Sequence, residues 1–226
     1  MPRLTTRKYQ ALLLALLGLV VVYPLLGGTP HARLVLHLLV TFVFAAALVV
    51  VFAGHRLRVA AFLLGLPTLV GMWTGYFLPG VPTLAAQLTF HMLAAGFFAF
   101  TTGAILRDIY REKGVSVDSV YGAFCGYFLT GLAFGHVYNV VELLHPGSFR
   151  GEDFAADMSD DHRHYLLTYF SFLTLTTVGY GDVTPATSSA RGLAVTEAIT
   201  GQFYLAVLVA ELIGRRVSQA FAPPEK

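Results

Sequence analysis

Residues 174–182 read TLTTVGYGD, and the segments on either side of them decide the fold. The TLTTVGYGD stretch follows an apolar segment at 165–175, which it overlaps by two residues. That segment is only 11 residues long, whereas a helix needs about 20 apolar residues to cross a bilayer. Much longer apolar runs flank this region, at 119–144 and 192–214. Irregular backbone survives at membrane depth only where it is buried in protein or lines water. The pattern therefore predicts a re-entrant helix and an extended loop held between two membrane-spanning helices.

The rest of the chain also has the composition of a membrane protein. Hydrophobic residues make up 56% of it and charged residues 12%, about half the charged fraction of a soluble domain. Six long apolar runs predict spanning helices, at 11–26, 34–53, 59–78 with a kink at Pro67, 83–106, 119–144 and 192–214. We therefore expect an all-α membrane protein with six transmembrane helices, one re-entrant helix and an extended loop. The net charge of +2 gives no support for a nucleic-acid partner.

The distribution of basic residues predicts the orientation of the chain. Cytoplasmic loops collect lysine and arginine, and six crossings place both termini on one side of the membrane. With the N-terminus inside, 11 basic residues lie on the cytoplasmic side and 4 outside, namely Arg33, Arg150, Arg163 and Arg191. We expect cytoplasmic N- and C-termini and a re-entrant segment that opens outward. The compact size, without appended domains, favours a bacterial cytoplasmic membrane.

Glycines in the loop alternate with larger residues. Gly179 and Gly181 are expected to adopt positive φ, which keeps successive backbone carbonyls on one side of the loop. Carbonyl oxygens arranged in this way replace the hydration shell of a cation without adding net charge. The C-terminal end of the re-entrant helix carries a partial negative charge that also favours a cation. Val178 and Tyr180 are then expected to point outward, into supporting protein.

The sequence Thr-Val-Gly-Tyr-Gly-Asp, preceded by Thr-x-Thr, resembles the selectivity filter of the tetrameric potassium channel family. The resemblance implies potassium ions bound by backbone carbonyls, with the Thr177 hydroxyl completing the innermost site. The carbonyls that it assigns to potassium belong to Thr177, Val178, Gly179 and Tyr180. Four such loops surround one axis and this chain has one, so the resemblance also implies a homotetrameric pore among membrane lipids. It implies passive potassium conduction, with no enzyme activity and no cofactor other than the ions.

The resemblance extends to residues around the filter. Tyr169 and Phe170 resemble the paired aromatic residues that brace the filter in this family. Tyr169 either donates a hydrogen bond to Asp182 or only packs against its neighbours. The residues assigned to filter support are Thr174, Thr176, Gly181, Asp182, Tyr169 and Phe170.

The sixth helix carries the remaining candidate residues. Gly201 resembles the gating hinge of the family, with a close helix contact as the alternative. Glu197 is a carboxylate inside a span, so it requires a partner or is neutral. Glu142 resembles a family glutamate that ties the fifth helix to the start of the sixth. The inner pore is expected to be lined by Gln202, Leu205 and Val209.

The resemblance divides the chain into three parts. Residues 119–216 form the pore domain, 1–118 a four-helix transmembrane domain, and 217–226 a short cytoplasmic tail. A voltage sensor needs about 3 to 4 gating charges in its fourth helix, and 83–106 has none. Arg107 and Arg111 lie beyond the end of that segment. We therefore expect no strong voltage gating, and a tail too short for a built-in ligand-binding domain.

Three other functions remain open. A non-selective cation channel and a silent regulatory subunit share the same helix pattern. A haem- or metal-binding membrane sensor fused to a pore is prompted by His37, His91 and His136 within the spans, although no ligand-like spacing supports it. His162 and His164, beside an acidic outer loop, predict conduction that depends on external pH.

Overall fold

The computed structural model describes residues 8–26, 31–51, 55–78, 83–112, 114–154 and 158–220. These ranges contain seven helices and two short strands. The helices are α1 (Gln10–Leu26), α2 (Ala32–Val51), α3 (His55–Phe77), α4 (Leu84–Arg111), α5 (Val117–Leu144), α6 (Asp160–Leu175) and α7 (Ser188–Ala220), and the strands are β1 (Phe149–Gly151) and β2 (Val183–Pro185). Five of the helices, α2, α3, α4, α5 and α7, are long and apolar enough to cross a membrane, and α1 is a shorter apolar helix.

Every predicted helical segment is present, but several helix ends differ from the predicted ones. Helix α4 continues to Arg111, so Arg107 and Arg111 lie on its last two turns rather than beyond it. Helix α7 continues to Ala220, and the predicted boundary at 217 falls inside it. Hydropathy marks where apolar residues stop, whereas backbone hydrogen bonding continues a helix through polar residues that lie outside the lipid. The predicted domain boundaries at 118 and 217 thus fall inside helices α5 and α7.

Helix α6 begins five residues before its apolar segment because the sequence caps it there. The side chain of Ser159 accepts a hydrogen bond from the His162 backbone N–H at 3.3 Å. Asp160 and Asp161 occupy the first turn, where the positive end of the helix dipole favours acidic side chains. The cap fixes the position at which α6 begins.

Helix α5 is the central element and packs against α1, α4, α6 and α7. Small residues let α6 approach it closely. A Cβ atom at Gly131 would lie 2.7 Å from the Phe172 ring, and one at Gly135 would lie 3.0 Å from Thr168 Oγ1. The main apolar core joins α1, α2, α4 and α5; its most buried large side chains are Tyr9, Leu12, Phe44, Phe97, Ile105 and Leu129.

A two-stranded ribbon lies between α5 and α7 on the side where α6 begins. Strands β1 and β2 are antiparallel, with Arg150 opposite Thr184. Glu142 accepts hydrogen bonds from the backbone N–H groups of Gly147 at 2.7 Å and Phe149 at 3.1 Å. Glu142 therefore holds the turn before β1, and this turn contacts the residues just before α7 through Ser148, whose carbonyl accepts from the Ala186 N–H at 2.7 Å. The ribbon was absent from the all-α prediction, since three-residue strands leave no hydropathy pattern.

Candidate functional site

The TVGYGD loop (residues 177–182) leaves the C-terminal end of α6 and returns towards β2. The backbone N–H of Thr177 donates to the Thr174 carbonyl at 3.0 Å, and that of Val178 donates to the Leu173 carbonyl at 2.9 Å. These bonds fold the start of the loop onto the last turn of the helix. The loop therefore begins at the negative end of the α6 dipole, as a cation site requires.

Alternate residues of the loop have positive φ angles. The values are 58° at Thr177, 53° at Gly179 and 83° at Gly181. The expectation of positive φ at the two glycines is confirmed. Thr177 is the only non-glycine residue with positive φ among those that the structure describes, and such a conformation costs of the order of 1–3 kcal/mol. Strain of this kind marks positions that the surrounding contacts hold in place.

The end of the loop is held by Tyr169. Its hydroxyl donates a hydrogen bond to Asp182 Oδ2 at 2.7 Å, so of the two alternatives for Tyr169 the structure shows the hydrogen bond. The other carboxylate oxygen of Asp182 accepts from the Val183 backbone N–H at 3.0 Å. The hydrogen bond from Tyr169 is the main reason why the pKa of Asp182 lies below its ordinary value.

Replacing Tyr169 with phenylalanine should make the loop more sensitive to acid. The pKa of Asp182 is lowered in the folded protein, so the stabilisation from this carboxylate is complete above the ordinary pKa and is lost as the pH falls through the lowered one. Without the tyrosine hydroxyl, the pKa moves back up. We expect acid to inhibit cation flux into proteoliposomes at a higher external pH in Tyr169→Phe than in the wild type. Asp182→Asn should lack this transition, and equal midpoints in Tyr169→Phe and wild type would refute the role of the bond.

The other predicted support residues have different surroundings. Phe170 packs away from the loop, with ring centroids 5.1 Å from Tyr138 and 5.4 Å from Phe149. It shares an apolar cluster with Val183, the residue that follows the loop. Thr176 donates its hydroxyl to the Phe172 carbonyl at 2.6 Å, and Thr174 contributes its backbone carbonyl to the bond described above. Of the aromatic pair, Tyr169 contacts the loop and Phe170 supports the ribbon.

The large side chains of the loop are exposed in the single chain. Val178 is 49% exposed and Tyr180 is 74% exposed. Both were expected to point into supporting protein, and this chain covers neither of them. Any protein that supports these two side chains must therefore come from another copy or partner.

Helix α7 brings one polar side chain to the loop. Gln202 Nε2 donates to Thr177 Oγ1 at 3.3 Å, although Gln202 itself is exposed in an apolar helix. Leu205, one turn further along the same face, is also exposed. The third predicted lining residue, Val209, belongs to α7, but its side chain lies outside the described part of the chain. An exposed amide at this position favours a polar environment over lipid.

Residues 128–217 match a family model described as an ion channel. The match indicates an ion channel. Its range covers α6, the TVGYGD loop and the parts of α5 and α7 that surround them, which form the ion channel domain of this membrane protein. A search of curated proteins found no match, and neither did a search of solved structures.

Gly201 is a point of very close approach between α7 and α6. A Cβ atom there would lie 2.3 Å from the carbonyl oxygen of Leu175, the last residue of α6. The same carbonyl accepts a hydrogen bond from the Tyr127 hydroxyl at 2.9 Å. Helix α7 is continuous through this position. The close helix contact, one of the two alternatives for Gly201, is therefore present.

Glu197 joins three helices of the ion channel domain. Its side chain is fully buried. Tyr138 on α5 donates its hydroxyl to Glu197 Oε2, and Ser171 on α6 bonds to Oε1. The sequence indicated that Glu197 needs a partner but not which residue, because Tyr138 and Ser171 lie 59 and 26 positions away. These hydroxyls reach the carboxyl group because α5 and α6 are packed with the faces that carry Tyr138 and Ser171 towards α7.

Proposed function

We propose that four copies of this chain form a potassium-selective channel that conducts passively. The TVGYGD loop carries the proposal, because it combines a sequence that resembles the potassium filter with positive φ at residues 177, 179 and 181. Carbonyl groups of residues 177–180 would coordinate the dehydrated ion. This arrangement requires no charged side chain in the ion path.

The innermost ion site would use the Thr177 hydroxyl. Gln202 donates to this oxygen at 3.3 Å, and a hydroxyl oxygen has two lone pairs, so one remains for a cation. The nearby C-terminal end of α6 adds a partial negative charge. Gln202 and Leu205 would then line the water-filled cavity below the loop, with Val209 beyond them.

A homotetramer is supported by surfaces that the single chain leaves uncovered. Val178 and Tyr180 have no covering protein within the chain, as described above. Helix α7 also exposes large apolar side chains on its outer faces, among them Phe203, which is 64% exposed. The proposed filter needs four loops around one axis. Each chain supplies one loop, so four chains are needed to complete it. The partners in this assembly are the other subunits, potassium ions and membrane lipids.

The first four helices are proposed to be a domain without strong voltage sensing. In the described residues of α4, the basic side chains are Arg107 and Arg111, both at its end. Charges at a helix end cross little of the membrane field, whereas gating needs several charges moved through it. The proposed topology has six crossings, by α1–α5 and α7, with both termini in the cytoplasm and the β1–β2 ribbon outside. A bacterial cytoplasmic membrane is the proposed location.

The reversal potential of reconstituted tetramers tests the proposed function. With potassium on one side of a planar bilayer and sodium on the other, we expect the current to reverse only at a large voltage that is negative on the potassium side. Crosslinking and size-exclusion chromatography should first establish that the reconstituted protein is a tetramer. Equal permeability to the two ions would instead establish a non-selective pore. No current from verified tetramers would establish a silent subunit.

A further inference from the structure

Three histidines from three different helices meet at one point. His91 on α4 and His136 on α5 have their Nδ1 atoms 2.9 Å apart. The ring of His164 on α6 lies 4.6 Å from that of His136 and 5.4 Å from that of His91, measured between centroids. Each residue offers one ring nitrogen, and the three nitrogens lie within 4.8 Å of one another. The fold thus brings together three histidines that are far apart in the sequence.

Only two of the three histidines considered from sequence belong to this cluster. His37 lies elsewhere, with Nδ1 at 2.8 Å from the Arg33 carbonyl and its ring near Trp73 and Tyr76. His164, which the sequence placed beside the acidic outer loop, takes its place. Metal ligands within one motif stand a few positions apart, whereas these three residues come from separate helices.

The nitrogen spacing suits a transition metal. Zinc binds imidazole nitrogen at about 2.0–2.1 Å, and two ligands of one tetrahedral ion are about 3.3 Å apart. The observed separations, from 2.9 Å to at most 4.8 Å, bracket this value, so small ring rotations would complete the site. Three imidazoles with an open fourth position form a known type of zinc coordination, while calcium and magnesium prefer oxygen ligands.

The surroundings of the cluster have the features of a ligand shell. His91 and His136 are each only 6% exposed, against the rings of Phe90 and Phe98. The Asn139 amide contacts His164 Nδ1 at 3.0 Å. Binding of an ion through His164 Nε2 requires the hydrogen on Nδ1, so the amide would turn to present its oxygen as the acceptor, as outer-shell groups do for ligating histidines.

Two buried polar atoms near the cluster lack hydrogen-bond partners. Among the described residues, Asn139 Oδ1 and Thr168 Oγ1 are buried and have no hydrogen-bond partner. Asn139 lies one turn from His136, and Thr168 one turn from His164. Buried polar atoms are rarely left unpaired, so these two atoms are available to a buried water molecule on this side of the cluster.

We propose that His91, His136 and His164 bind a divalent transition-metal ion of the zinc class. The charged groups nearest the cluster belong to the start of α6: Asp160 is paired with Arg163 at 2.8 Å and Asp161 with Arg33 at 2.9 Å. Each carboxylate is neutralised by an arginine, so these groups add no net charge beside the ion. Since α6 leads into the TVGYGD loop, the ion would tie α4 of the first domain to the helix that carries the loop.

Cobalt provides a direct readout of this site. We expect purified tetramers, stripped with EDTA and kept at neutral pH, to bind one Co²⁺ per subunit with the visible absorption of tetrahedral coordination. Zn²⁺ should abolish that absorption by competition. His136→Ala and His164→Ala should weaken Co²⁺ binding at least tenfold, whereas the controls His37→Ala and His162→Ala should leave it unchanged.

The wild-type titration decides the proposal even where a variant fails to fold. Absence of the tetrahedral absorption in wild-type protein, or its persistence in a folded His136→Ala variant, would overturn the site. The readout is independent of current. A selective channel that binds no Co²⁺ refutes the metal site alone, and a Co²⁺-binding protein without potassium selectivity refutes the proposed function alone.

Discussion

Replacing Glu197 with alanine is expected to destabilise the folded protein by roughly 3–5 kcal/mol, the range for losing a buried side chain and its hydrogen bonds. The substitution leaves a cavity between α5, α6 and α7. It also leaves the Tyr138 hydroxyl buried without its acceptor, while Ser171 keeps only its bond to the Gly131 carbonyl at 2.7 Å. Thermal unfolding of the purified protein in detergent micelles measures the loss.

Glutamine at the same position should preserve most of the stability. Ser171 has one hydroxyl hydrogen but contacts two acceptors, the Gly131 carbonyl and Glu197. Both contacts are hydrogen bonds only if Glu197 itself supplies a hydrogen to Ser171, which a neutral carboxyl group does and a carboxylate does not. The amide of Glu197→Gln can also donate to Ser171 and accept from Tyr138, so we expect a cost of about 1 kcal/mol or less. A glutamine variant as unstable as the alanine variant would show that the ionised carboxylate is required.

Replacing Gly201 with alanine is expected to separate α7 from the end of α6 and to cost roughly 1–3 kcal/mol, as overpacking does. The new methyl group would lie 2.3 Å from the Leu175 backbone carbonyl oxygen, which a side-chain rotation cannot move away. Thr177 follows two residues later, and Gln202 is the next residue on α7. The strained contact therefore reaches the innermost proposed ion site, and potassium current should fall together with the melting temperature.

Gly192→Ala is the matched control on the same helix. A Cβ atom at Gly192 has no neighbour within 4 Å in the described structure. Both substitutions gain the same intrinsic helix propensity, so their difference isolates the contact with Leu175. If Gly201→Ala changes the current but melts at the same temperature as Gly192→Ala, the glycine acts as a hinge and the packing explanation is wrong.

The sequence by itself determined the membrane character, the short apolar helix α6 and the TVGYGD loop that follows it. These features depend on local quantities. An apolar segment of 11 residues is too short to span, and two alternating glycines permit positive φ, whatever the rest of the chain does. Helix ends were less accurate, as α4 and α7 show, because hydrogen bonding extends a helix beyond its apolar residues.

Only the tertiary structure decided which distant side chains meet. The partners of Glu197, the turn held by Glu142 and the contact of Gly201 with Leu175 each depend on how one helix is rotated and shifted against another. The same holds for the three histidines, which come from α4, α5 and α6 and have no common spacing. Each helix has polar residues on several faces, and the packing of the helices decides which of those residues are buried against a neighbour. Sequence periodicity records the apolar face of each helix but not its neighbour, so these contacts become visible only when the helices are assembled.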